Sequence, residues 1–148
     1  MNEFESKLNT LKEILISKRE LLFVILNITE NQEALLTSEG DVGEFFYEMN
    51  DIKQVNINKI IELDISFNKI FLETPDFEQR ASNYLDKIKE IQGLIKEVTD
   101  LDASIRNLEE HNKKHSHKIP KIDTLDQKRR SAIAKDLLNK YKKSQEEN

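Results

Sequence analysis

Three histidines, His111, His115 and His117, stand in an H-x3-H-x-H pattern, and a step of four sets two imidazoles on one face of a helix, as a metal site requires. Nothing nearby completes a ligand set. Glu109 and Glu110 are adjacent, but the stretch around them is rich in lysine, which repels a cation, so a polar helix end is the better reading and no metal is assigned. The Lys128-Arg129-Arg130 cluster carries the kind of charge that neutralises phosphates on a nucleic acid or an acidic membrane. In a chain of net charge -5, three adjacent cations are better read as a solvated helix face, and neither nucleic-acid binding nor membrane insertion is expected. Carboxylates are plentiful, yet a catalytic pair needs a cleft that perturbs it, and here the pattern places them on solvated faces. There is no glycine-rich phosphate loop and no G-x-S-x-G turn, and the absence of Cys removes thiol nucleophiles, thiolate metal sites and disulfides. These residues point to a protein that binds another protein, with no catalysis and no cofactor.

The elements that carry them must be few and long. Three Gly and two Pro in 148 residues leave little material for tight turns, whereas a β sandwich of this length needs turn chemistry about every ten residues. With 34% charged and 37% hydrophobic residues, the apolar surface has to lie on narrow stripes. In the first segment Phe4, Leu8, Leu11, Leu15, Leu22, Ile25 and Leu36 recur in steps of three and four, with Lys18, Thr29 and Gln32 at the remaining positions of the same seam. Ile14, Leu21, Ile28 and Leu35 form a second register beside it, so the apolar face is wide enough for two neighbouring helices. One helix over 4–39, about 50 Å long, follows. Gly40 suits a left-handed stop, and Asp41 with Glu44 reads as the cap of the next helix.

The second segment, 42–72, carries Val42, Phe45, Phe46, Met49, Ile52, Ile60, Leu63, Phe67, Ile70 and Phe71 at helical spacing. Thr74 and Pro75 read as N-cap and first residue of a third helix over 76–112. That helix has Phe77, Ala81, Tyr84, Ile88, Ile91, Ile95, Val98, Ile105 and Leu108 on its seam, Leu94 and Leu101 beside it, and Asp102 interrupting it. Gly93 costs about 1 kcal/mol relative to Ala, a loss that packing among three helices absorbs. The aromatic residues Phe45, Phe46, Phe67, Phe71 and Phe77 fall near the two connections, where core packing is the first reading and a partner-binding groove the second. Short links make neighbouring helices antiparallel. The fold class is therefore all-α: an elongated antiparallel three-helix bundle, or coiled-coil hairpin, with a short, weakly docked C-terminal helix.

Charge divides the chain. Residues 1–110 hold twelve Lys plus Arg against twenty-three Asp plus Glu, a net of -11, whereas residues 111–148 hold eleven against five, a net of +6. The expected organisation is an acidic helical bundle over 1–112 and a basic, partly ordered tail over 113–148. Ile119-Pro120-Lys121 breaks the helix, and 123–141 forms a candidate amphipathic helix whose Leu125, Ile133, Leu137, Leu138 and Tyr141 are candidate partner-binding residues. The opening Met1-Asn2-Glu3-Phe4-Glu5 lacks a signal peptide's basic start and apolar run, and no stretch approaches the length of a membrane span. A soluble, cytoplasmic protein is expected.

Several of these stretches resemble a known family. Leu8-x2-Leu11-x3-Leu15, Leu21-Leu22-x2-Ile25-Leu26, the run Ile28-Thr29-Glu30-Asn31-Gln32-Glu33-Ala34-Leu35-Leu36, Phe45-Phe46 with Asp51-Ile52-Lys53-Gln54, and Ile60-x2-Leu63-Asp64-x2-Phe67 look like the FlgN/FliT class of flagellar export chaperones. The resemblance covers residues 4–72 and extends to about 110 by helical pattern alone. It implies a small cytoplasmic protein that keeps a late flagellar subunit unassembled before export, the clients being hook-filament junction proteins or the filament cap, with the export apparatus as a further partner. It also implies a client-binding or autoinhibitory helix near the C-terminus, a role that here falls to Leu125 to Tyr141. The reading from another class is a structural coiled-coil oligomer or adaptor, with Phe4 to Leu36 pairing with a second copy in a homodimer.

Overall fold

The computed structural model describes residues 2–38 and 40–115. Among them there are helices and turns and no strand. The tail residues Leu125, Ile133, Leu137, Leu138 and Tyr141, the Lys128-Arg129-Arg130 cluster and His117 lie outside the described residues. Helix α1 spans Glu3–Thr37, α2 Gly43–Glu73, α3 Phe77–Ala81 and α4 Leu85–Lys114. No helix among the described residues is long and apolar enough to cross a membrane.

α1 starts where Asn2 accepts a hydrogen bond from the Glu5 amide at 2.7 Å, and Glu3 and Glu5 in its first turn complement the helix dipole. Its buried face is the seam expected from the spacing: Phe4, Leu8, Leu11, Leu15, Leu22, Ile25 and Leu36, with Thr29 and Gln32 buried among them. Gly40 takes a left-handed φ of 99°, which reverses the chain at little steric cost. Asp41 acts one residue away from its expected place. The cap position is Val42, and Asp41 instead accepts from the Gly43 amide at 3.2 Å.

The second connection departs further from the sequence-based expectation. Thr74 does not start a helix; it closes α2, its hydroxyl donating to the Ile70 carbonyl at 2.6 Å. Pro75 then sits in the turn, and Asp76, left-handed at φ 54°, precedes α3. The single helix expected over 76–112 is broken at Ser82 to Tyr84, where the amides of Asn83 and Tyr84 donate back to Arg80 and Ala81. Aromatic packing accounts for the break. The turn folds Phe77 back against Phe71 and Phe4, with ring centroids 4.8 and 5.4 Å away, while Tyr84 also packs on Phe4 at 5.5 Å.

Two reversals leave α4 running parallel to α1 and antiparallel to α2. Ion pairs Lys87–Glu5, Lys12–Glu90 and Arg19–Glu97 mark that parallel register along the solvated edge, where water screens them and they contribute little. The hydrogen bond and charge of Lys12 hold the Glu90 carboxyl below its ordinary value, so this pair contributes above the usual carboxylate range and is lost as pH falls through it. The core forms two clusters on α1. One gathers Phe4, Leu8, Leu11, Leu15, Ile91 and Leu94, and the other Leu22, Ile25, Ile60, Val98 and Ile105. Leu94, placed beside the seam by spacing, is buried, whereas Ile95 on the seam is exposed.

Gly93 meets no packing that requires it: a Cβ added there has nothing within 4 Å. Gly93→Ala is therefore expected to raise stability by about 1 kcal/mol, seen as a thermal midpoint higher by roughly 4 °C. An unchanged or lower midpoint would mean that this helix gains nothing from intrinsic propensity.

Candidate functional site

α2 and α4 both pack along α1 but barely approach one another. A close-packed trio of helices has no such opening, and here the gap becomes a trough whose floor is α1 and whose walls are the other two helices. Its main chamber, about 550 Å³, is lined by Leu22 and Ile25 from the floor, Ile57, Ile60 and Ile61 from α2, and Val98 and Ile105 from α4. A second chamber of about 320 Å³ continues it toward Leu15, Phe67 and Ile95. The α2 wall arises because Ile57, Ile61 and Asp64 are spaced four and three apart, one row of a helix rotated slightly from the row that Ile60 buries. The α4 wall arises likewise from Ile95, Thr99, Asp102 and Arg106.

Charges cross this apolar surface only in pairs. Lys18, the one basic residue in the α1 seam, binds Asp64 of the α2 wall at 2.7 Å where the two chambers meet. On the α4 rim Arg106 pairs with Asp102 at 2.9 Å. At the far end the Lys53 ammonium, its side chain only 7% exposed, donates to Glu109 and, at 2.7 Å, to the Gln32 carbonyl oxygen. Gln32 in turn donates to Asn50 at 2.7 Å, and Asn112 donates to the Thr29 carbonyl at 3.1 Å while its own side-chain oxygen stays buried without a hydrogen bond. The polar seam positions Thr29 and Gln32 thus tie all three long helices together, and Lys53–Glu109 bridges α2 to α4 where the trough ends.

Such a surface suits an apolar, rod-shaped ligand. No three metal-ligating side chains of the described residues come together, and the rings of His111 and His115 lie 4.7 Å apart, tilted to one another, on an exposed helix end. Of the aromatic residues expected in the core, Phe67 lines the trough and Phe77 packs against the first cluster, but Phe45 and Phe71 are exposed, because the buried face of α2 passes through Gly43, Lys53 and Ile60 rather than through them. Ile95 and Asp102, expected on the third-helix seam and as its interruption, line the trough, whereas spacing alone did not reveal the trough residues Ile61 and Asp64. Their signal was the width of the apolar faces, together with Lys18 standing in a seam of leucines. No family model, curated protein or solved structure matches the chain.

Proposed function

We propose that the trough holds an amphipathic helix from a client protein and so keeps that helix from assembling elsewhere, as a cytoplasmic chaperone does. The observation that supports this is the trough between α2 and α4, whose lips carry Ile61 and Ile95, each 42% exposed, so that a fourth helix can lay its apolar stripe along them above the buried Leu22 and Ile25. The sequence resemblance supplies the client class: the helical terminal segment of a late flagellar subunit, either hook-filament junction or filament cap, held before delivery to the export apparatus. The alternative, a coiled-coil oligomer built on Phe4 to Leu36, needs those residues free, and within the chain they are covered by α2 and α4.

Ile61 and Ile95 stand on opposite lips of the trough and are each 42% exposed, so a charge at either leaves the bundle folded. After co-purification from a motile host identifies the client, Ile61→Asp and Ile95→Asp are each expected to weaken calorimetric binding of its terminal peptide by about ten-fold or more, the rough cost of one lost apolar anchor. Phe23→Asp, an exposed position off the trough, is the control and is expected to leave binding unchanged. Equal effects at all three positions would move the site elsewhere. The basic tail enters this reading as a competitor for the same surface. Truncation after Lys118 is expected to leave the thermal midpoint nearly unchanged and to tighten peptide binding; loss of binding would instead assign the client contact to the tail.

A further inference from the structure

We propose that the Lys18–Asp64 pair selects which helix the trough accepts: one whose apolar stripe is interrupted at a single central position by an uncharged polar side chain, asparagine, glutamine or serine. This rests on the trough being a helix-binding site. Lys18 of the floor and Asp64 of the α2 wall line both chambers, with Leu22, Ile25 and Ile60 to one side and Leu15 and Phe67 to the other. Along α2 the order Ile61, Asp64, Phe67 runs in steps of three and none of the three is buried, so a helix lying over the trough meets apolar, polar and apolar surface at helical spacing.

The pair is only partly covered by the chain itself, Lys18 being 22% and Asp64 45% exposed. A docked helix covers what remains. A leucine over the pair removes its water and returns no hydrogen bond, which disfavours binding. A charged residue fares no better, because the charges lining the trough already answer one another: Lys18 with Asp64, Arg106 with Asp102, and Glu109 with Lys53. A new charge there is buried without a partner. A carboxamide or hydroxyl replaces the lost water, donating to the Asp64 carboxylate and accepting from the Lys18 ammonium. One such polar contact within an apolar seam also fixes axial register, since sliding the helix by a turn sets leucine against the ion pair.

Three designed amphipathic peptides test this, identical except for Asn, Leu or Glu at the central seam position, titrated calorimetrically against the full-length chain. The native protein is expected to bind the Asn peptide about ten-fold more tightly than either of the others, the rough scale of one satisfied against one unsatisfied polar contact. The Lys18→Met, Asp64→Leu double variant is expected to reverse the order of Asn and Leu. Asp64→Asn, at a half-exposed position and independent of whether the double variant folds, leaves Lys18 without its counter-charge and is expected to shift preference to the Glu peptide. Equal binding of all three peptides, or the same ranking in native and Asp64→Asn proteins, overturns the selection and leaves the trough reading standing. Failure of every peptide to bind the native protein overturns the trough reading as well.

Discussion

Glu109→Ala is expected to destabilise the bundle by about 3 kcal/mol, more than the loss of its partner in Lys53→Met, which is expected to cost roughly 1–2 kcal/mol. The asymmetry follows from where each group sits. Lys53 is buried against Gln32 and Glu109, so removing the carboxylate strands an ammonium that water hardly reaches. Removing Lys53 takes the charge away; it leaves Glu109 half-exposed to solvent and only the Gln32 oxygen short of a donor. The double variant Lys53→Met, Glu109→Ala is then expected to be no less stable than Lys53→Met alone. Urea denaturation of the four proteins completes the cycle, and equal losses for the two single variants would show that the ammonium is solvated after all.

Leu11→Ala is expected to cost between about 2 and 5 kcal/mol, a large share of the roughly 5–15 kcal/mol that holds a domain of this size folded. Leu11 is 1% exposed and belongs to the cluster that joins α1 to Ile91 and Leu94 of α4. The same truncation at Leu72, which is 79% exposed, is expected to change stability by no more than about 0.5 kcal/mol. Thermal melts of both proteins separate the two cases, and comparable midpoints would contradict the assignment of α1 as the buried centre of the bundle.

Much of this arrangement was legible in the residues. The steps of three and four in α1 named every apolar residue of its buried face, and the polar trio Lys18, Thr29 and Gln32 stood out in that seam before their partners were known. Their partners were not legible, because Asp64, Lys53 and Glu109 come from other helices and only the relative rotation of those helices brings them in. Rotation also decides that Leu94 rather than Ile95 is covered, a shift of one residue that spacing cannot resolve when both are apolar. The break at Ser82 to Tyr84 was missed for a different reason. Residues 77–88 carry a sound helical pattern, and the chain gives it up to surround Phe4 with Phe77 and Tyr84, a long-range gain invisible in local propensity. The trough was the least legible feature, since it is a space between helices and not a property of any one of them.

Because α1 is the surface on which both other long helices rest, the order of synthesis matters for this chain. α2 emerges next to α1 and can pair at once, but Leu8 and Leu11 wait for Ile91 and Leu94, about eighty residues later. At 5–20 residues per second, that is roughly 4–16 s during which that half of the α1 stripe is covered only in part, by Phe67 and Ile70 of α2. A nascent chain in that interval is a sticky two-helix ribbon, exposed to the same helices that the finished trough is proposed to receive.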